Sequence, residues 1–275
     1  MSNLPPSATT VFYRNIRYLR WVDRFGRQGQ AAVEYLGGVG QLAWDTIRAA
    51  VSRPFYRQAL LDQADEIGVR SMGITGITAL FTGMVLALQT AYALEAFGGK
   101  TFMGRVVALS LVRELGPVLT ALMVGGRVGS GITAELGSMT VTEQVDALRS
   151  MAVSPIRRLV VPRVVATLFM LPCLTALADV LGILGGLLIA VMQLGMSAQD
   201  YLTSIWQSLT LSDISSGLTK TFFFGFEIAL IGCYNGLNVQ GGASAVGVAT
   251  TRTVVVASIL VLISDFFLTK FFLSL

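Results

Sequence analysis

Five apolar runs, each about long enough to cross a bilayer, constrain this chain more than any other feature. Ser71 to Leu94 lies between Arg70 and Glu95 without a charged side chain, and about 20 such residues make a membrane-spanning helix. The next runs are roughly Val106 to Ala134, Val160 to Leu194, Thr219 to Leu237 and Val254 to Leu275. Arg163 and Asp179 interrupt the third, Glu227 sits in the fourth and Asp265 in the fifth. The third run is long enough to hold a second crossing, which would make six. Over the 275 residues 53% are hydrophobic and 13% charged, with a mean hydropathy of +0.68. Soluble domains carry about a quarter charged residues, so the chain is expected to be an all-α, polytopic membrane protein of about five transmembrane helices.

The placement of the basic residues predicts orientation. Arg14, Arg17, Arg20, Arg24, Arg27, Arg48, Arg53, Arg57 and Arg70 precede the first run. Arg149, Arg157, Arg158 and Arg163 follow the second, and Arg252 precedes the fifth. The other side holds Lys100, Arg105, Lys220 and Lys270. With an odd number of spans, the N-terminus faces the cytoplasm and the C-terminus the outside.

Residues 1–56 read as an interfacial arm. Phe12, Ile16, Leu19, Val22 and Phe25 recur at steps of three or four, and the arginines from Arg14 to Arg27 do the same two positions away. Two positions are about 200° on a helix, so apolar and arginine stripes oppose each other. A helix lying on an anionic membrane surface has that pattern. A second stretch, Phe55 to Val69 after Pro54, reads as another interfacial helix leading into the bilayer. Residues 57–275 form one membrane domain, without an internal repeat or a Pro/Ser linker. Met1 to Val11 lacks the basic start and apolar core of a signal peptide.

Several chemistries are excluded. The chain has no histidine, which removes a Ser-His-Asp triad, a His-based zinc site and histidine proton relays. Cys173 and Cys233 lie within apolar runs and read as small buried hydrophobes, not as a disulfide or metal pair. "GGKT" at Gly98 to Thr101 resembles the end of a phosphate-binding loop, but that pattern requires glycine where Leu94 stands. No catalytic residue, metal site, cofactor or nucleic-acid partner is implied.

The second run poses a problem. Arg113 and Glu114 are adjacent, so on a helix they point about 100° apart and do not simply neutralise one another. Counting from Val106 at 1.5 Å per residue, Arg113 lies roughly 10 Å inside the span. Pro117 cannot donate to the carbonyl of Arg113, which predicts a kink and a free acceptor. An unpaired charge at that depth costs a few kcal/mol even on lenient insertion scales. Either the pair ties helices together, with Asp179 or Glu227 as partners, or it lines an outward-facing cavity where Arg113 meets a lipid phosphate. In the first span Val85, Leu88, Gln89 and Tyr92 follow helical spacing and suit either an acyl-chain wall or ordinary packing. Gly125–Gly129, Gly182–Gly186 and Gly232–Gly236 are four-apart pairs that allow transmembrane backbones to touch.

Between spans two and three lies a charged island, Glu135 to Pro155. Thr140 with Glu143 fits a capping box, predicting a helix with Val145, Leu148 and Met151 on one side and Glu143, Asp146 and Arg149 around the other. It should stop near Ser154, ahead of Pro155. Such a helix is either a plain connector or a docking element for a soluble partner.

The run "LSLVRELGPVLTALMVGGRVGSGITAELGSMTVTEQVDALRSMAVSPIRRLVVPRVVA", with "GMVLALQ" at Gly83 to Gln89 and "ATTRTVV" at Ala249 to Val255, resembles the MlaE-like permease subunits of ABC transporters that work with MCE-domain proteins. The resemblance runs from about Arg57 to the C-terminus. It implies a homodimer in a bacterial inner membrane, an ABC ATPase subunit on the cytoplasmic face, an MCE-domain protein on the outer face, and a phospholipid cargo. It also implies that about 137–152 is the coupling helix, with Glu135, Glu143, Asp146, Leu148 and Arg149 as ATPase-coupling residues; the lipid contacts expected from helical spacing and charge depth are Val85, Leu88, Gln89, Tyr92, Arg113 and Glu114. Two rivals remain on the residues alone. One is an ion-coupled secondary transporter using Glu114, Asp179, Glu227 and Asp265; the other is a membrane scaffold that moves nothing.

Overall fold

The computed structural model of the chain describes residues 29–30, 33–51, 56–95, 99 and 102–274. The arginine stripe of Phe12 to Arg27 lies outside the described residues, as do Gly98, Lys100 and Thr101 of the "GGKT" stretch. By internal contacts the chain divides into Met1–Asp45 and Thr46–Leu275. Among the described residues there are helices and no strands. That is the form in which a chain crossing hydrocarbon satisfies its backbone groups within each segment.

Helix α1 covers 33–51. The five spans are α2, Arg57–Leu94; α3, Met103–Val141; α5, Ile156–Met192; α7, Leu211–Leu237; and α8, Ala243–Ser274. Two short helices join them: α4, Gln144–Ser150, between α3 and α5, and α6, Ala198–Trp206, between α5 and α7. The third apolar run is thus one crossing of 37 residues. Pro172 is accommodated inside it. The stretch after Pro54 is helical from Arg57. It runs into the first span through a π turn at Asp65–Val69.

Each span begins earlier than its apolar run. In α7 Thr210 and Asp213 form a capping box, the Asp213 carboxylate accepting from the Thr210 amide at 2.9 Å. Two orphan donors of the first turn are thereby satisfied, and the helix starts at Leu211, not near Thr219. Ser197 caps α6 by accepting from the Gln199 amide at 3.2 Å.

Close packing rests on small residues, as expected where lipid tails are as apolar as leucine. A Cβ at Gly83 of α2 would fall on the carbonyl of Gly182 in α5, and one at Gly185 on the carbonyl of Leu80. A Cβ at Gly232 or Gly236 of α7 would stand 3.0 Å from the Gly129 oxygen and 2.7 Å from the Leu136 Cβ of α3. Gly125 and Gly129 face Ile228. All three four-apart glycine pairs therefore serve contacts within one chain. At the end of the spans where α2 turns into α3, Ala87, Ala91, Met103, Val107, Leu111, Ala190, Tyr201 and Ile205 make one apolar cluster. Tyr201 of α6 is its keystone, fully buried and donating its hydroxyl to the Ile183 carbonyl at 3.3 Å. Cys233 is buried as expected, whereas Cys173 is exposed on the outside of α5, and both are free.

Candidate functional site

Span α3 is not a continuous α-helix. Its ladder passes through π turns at Leu111–Leu115 and Gly125–Gly129, a feature that recurs at functional sites. The first π turn carries Arg113 and Glu114, and Pro117 follows it.

Their partners come from α7 and α8, not from Asp179 or Glu227. Arg113 donates from Nε to the Asp213 Oδ1 at 2.6 Å, and its terminal nitrogen pairs with the same carboxylate. Lys220 reaches the Glu114 carboxylate at 2.8 Å, Asp265 at 3.1 Å and the Thr269 hydroxyl at 2.6 Å. Its ammonium also donates to the Arg113 carbonyl at 3.1 Å. That carbonyl is the acceptor Pro117 leaves open, so the proline and the buried lysine answer each other. Gly217 makes the approach possible, because a Cβ there would strike the Val112 carbonyl.

Lys220, read from sequence as an outer-side charge, is only 2% exposed. Charged groups this deep persist when paired or facing water, and here both conditions hold. The side chains of Arg113 and Glu114 are about half exposed, at 48% and 42%. They open into a cavity of about 350 Å³ lined also by Ser212, Asp213, Ser215, Ser216, Thr219, Lys220 and Thr269. Ser215, Ser216 and Thr219 donate to carbonyls of their own helix, which leaves their oxygen lone pairs toward the cavity as acceptors. The remaining guanidinium N–H groups of Arg113 are donors. The cavity therefore offers both hydrogen-bonding senses and both signs of charge.

Val85, Gln89 and Tyr92 are exposed and Leu88 half-buried along one face of α2. None of them lines the cavity around Arg113 and Glu114. The two groups of candidate lipid residues belong to different surfaces of the single chain.

Among the described residues Asp179 pairs with no cation; it packs against Gly116 with Oδ1 lacking a hydrogen-bond partner. Glu227 accepts from Ser264 at 2.9 Å.

At the other end, the loop between α3 and α5 differs from the expected capped helix. Thr140 is still inside α3, donating to the carbonyls of Leu136 and Gly236. No capping box forms, because the first helix has not yet ended. Span α3 runs to Val141, so 137–141 belongs to it, and α4 spans only Gln144–Ser150. Glu143 precedes α4 with φ 59° and Ala152 follows it with φ 58°. Two non-glycine residues in the left-handed region cost about 1–2 kcal/mol each, and such strain clusters at functional loops. Val145 is buried, Leu148 half-buried and Met151 64% exposed, so the expected apolar side does not bury as a whole. Glu143, Asp146 and Arg149 are exposed, the last two paired at 2.8 Å. Glu135 is not at the loop tip: it bridges to buried Arg163 of α5 at 2.6 Å. Arg127, between these regions, donates to the Ser71 hydroxyl of α2 at 2.6 Å.

Asp213, Lys220 and Thr269 are partners of the Arg113–Glu114 pair that spacing along the chain does not point to. The "TLSD" capping box at Thr210–Asp213 is the signal that could have shown α7 reaching that depth.

Known proteins are similar in sequence along most of the chain. A family model described as permease MlaE matches residues 60–271. A probable ABC transporter permease protein of Rickettsia typhi is 42% identical over 245 residues, covering 88% of this chain and 95% of the relative. The intermembrane phospholipid transport system permease protein MlaE of Haemophilus influenzae is 39% identical over 245 residues, covering 88% and 94%. The chloroplastic protein trigalactosyldiacylglycerol 1 of Arabidopsis thaliana is 37% identical over 212 residues, covering 77% of this chain and 61% of the relative.

Proposed function

The chain belongs to the MlaE permease family, and from that premise we propose how its geometry serves the transport of phospholipid. It is the multi-pass permease subunit of an ABC transporter in the inner membrane, a transport subunit and not an enzyme. The secondary-transporter and scaffold readings fall with that membership.

The observation that carries the finer reading is the half-exposed Arg113–Glu114 pair opening into a polar cavity at membrane depth. About 350 Å³ is at the small end of ligand pockets and suits a headgroup, not a whole two-chain lipid. Donors on Arg113 match a phosphate ester. Acceptors on Ser215, Ser216 and Thr219 match an amine or glycerol hydroxyl. The acyl chains then lie along apolar helix faces, for which Val85, Leu88, Gln89 and Tyr92 are the candidate wall. Fixed opposite charges at short range make the site selective for a zwitterionic or hydroxylated headgroup over a bare anion.

The loop with α4 docks on an ATPase subunit, exposing Glu143, Asp146, Leu148 and Arg149 with Glu135 as a brace behind them. The positive-inside pattern puts that loop and the N-terminus in the cytoplasm. An MCE-domain protein sits on the outer face. A second copy of the chain covers α8, the least enclosed span, with 11% of its most apolar window buried against 50% for α7.

Lipid mass spectrometry on the purified complex tests the headgroup site. Arg113→Lys keeps an ion pair with Asp213 but removes the planar fork, and co-purifying phospholipid should fall severalfold in a fully assembled complex. Unchanged lipid would leave Arg113 with a helix-tying role only. Pull-down tests the loop: Glu143→Lys with Asp146→Lys should lose the ATPase while membrane insertion stays normal. An undiminished ATPase yield would remove the docking role.

A further inference from the structure

We infer that α7 is the stiff link carrying motion from the cytoplasmic loop to the outer charged cavity, and that Thr133, Thr253 and Asn235 are positioning residues that fasten it to α3. The inference rests on the docking role of that loop and adds the path by which docking acts.

Span α3 joins the loop to the cavity directly but is a poor rod. The π turn Leu111–Leu115 carries the cavity pair itself, and between it and the loop lie Pro117, which removes one more ladder bond, and the π turn Gly125–Gly129. At each such point the i−4 ladder that gives a helix its stiffness is interrupted. Helix α7 runs 27 residues without proline or a π turn, which is about 40 Å.

Helix α7 grips α3 at the first of those interruptions and again beyond the second. On the outer side, Asp213 holds Arg113 and Lys220 holds Glu114. On the inner side, Thr133 donates to the Gly232 carbonyl at 3.1 Å and Thr140 to the Gly236 carbonyl at 3.2 Å. Thr253 of α8 completes this inner clasp, 2.8 Å from the Thr133 hydroxyl and 2.8 Å from the Asn235 amide that donates to it. Thr133 and Thr253 are fully buried and Asn235 is 6% exposed. The inner clasp lies on the part of α3 that leads into the loop, below both π turns. Buried, mutually satisfied polar groups fix one register more firmly than apolar contacts of the same size. A displacement of the loop is therefore passed to α7 and α8 at the clasp. It reaches Lys220, Asp213 and Asp265 without crossing the soft turns of α3.

The test uses the full complex reconstituted in phospholipid vesicles, with lipid moved and ATP hydrolysed measured together. Thr253→Val removes the central hydroxyl, and lipid moved per ATP should fall about five-fold with the ATPase still bound. Thr253→Ser should restore the ratio. An unchanged ratio in an assembled Thr253→Val complex overturns the inference. Retention of the ATPase by the Glu143→Lys, Asp146→Lys chain overturns instead the docking role beneath it. A second measurement needs no clasp variant. With exposed Cys173 changed to serine, spin labels at the exposed positions Thr142 and Leu211 report the separation between the loop and the outer end of α7. That separation should hold through the nucleotide cycle, and a change of several ångströms overturns the rigid link.

Discussion

Glu114 and Glu143 are carboxylates in the same stretch of chain, one at membrane depth and one in the loop that follows, and they live under different energetics. Glu114 sits in a π turn, bonded to an almost wholly buried Lys220 and to Thr269. Glu143 is exposed and in a left-handed backbone conformation. The first is held by electrostatics that would be ruinous if one member were missing. The second is held by the chain around it and leaves its charge in water. The proposed function uses both conditions: a membrane-embedded site whose charges cannot wander, and a docking surface whose charges are free to meet another protein.

The sharpest way to break the comparison is to empty the outer cluster. Lys220→Met removes the ammonium that Glu114, Asp265, Thr269 and the Arg113 carbonyl share. Breaking a buried pair by deleting one partner costs about 3–5 kcal/mol. The purified protein should lose its folded form at markedly lower temperature in detergent. Adding Glu114→Gln and Asp265→Asn should recover most of the loss, since neutral amides strand no charge. A single variant as stable as the parent would show that water already solvates the cluster.

Next in size is helix packing, which should be insensitive to charge at either end. At Gly83 a methyl group would fall on the Gly182 carbonyl, whereas at Gly126 it meets nothing within 4 Å. Gly83→Ala should cost about 1–3 kcal/mol from overpacking, and Gly126→Ala close to nothing, by the same thermal assay. Equal effects would mean that α2 and α5 separate freely enough to absorb a methyl group.

How far each region was legible in sequence follows from the range of its interactions. The five spans were readable because hydrophobicity over about 20 residues is a local property. The depth of Arg113 and the missing donor at Pro117 were readable for the same reason, being consequences of helix geometry alone. The identity of the partners was not. Asp213 and Lys220 lie a hundred or more positions from Arg113 and Glu114, and only the crossing of α7 over α3 brings them together. Asp179 is an equally reasonable candidate by position, but its neighbour in the fold is Gly116. The loop misled in the opposite way. Thr140 and Glu143 have capping-box spacing, but Thr140 lies within α3, where its hydroxyl bonds the Leu136 and Gly236 carbonyls. Tertiary contact prolonged α3 past its local stop signal, and the chain then needed a left-handed residue at Glu143 to turn into α4.

That turn supplies the smallest and most discriminating prediction. Glycine adopts φ 59° without the penalty a side chain incurs there. Glu143→Gly should therefore relieve about 1 kcal/mol of backbone strain. The added freedom of glycine in the unfolded chain offsets much of that gain, leaving stability within about 1 kcal/mol of the parent. If Glu143 served only to connect helices, glycine would be as good or better, and transport would be unaffected. If its carboxylate meets the ATPase, the Glu143→Gly complex should hold the ATPase more weakly although the permease itself is no less stable. Titrating ATPase onto the permease in vesicles, beside a thermal unfolding curve of the same preparation, separates the two. Full binding with unchanged stability would reduce α4 to a connector and leave Asp146 and Arg149, already paired with each other, as poor candidates to replace it.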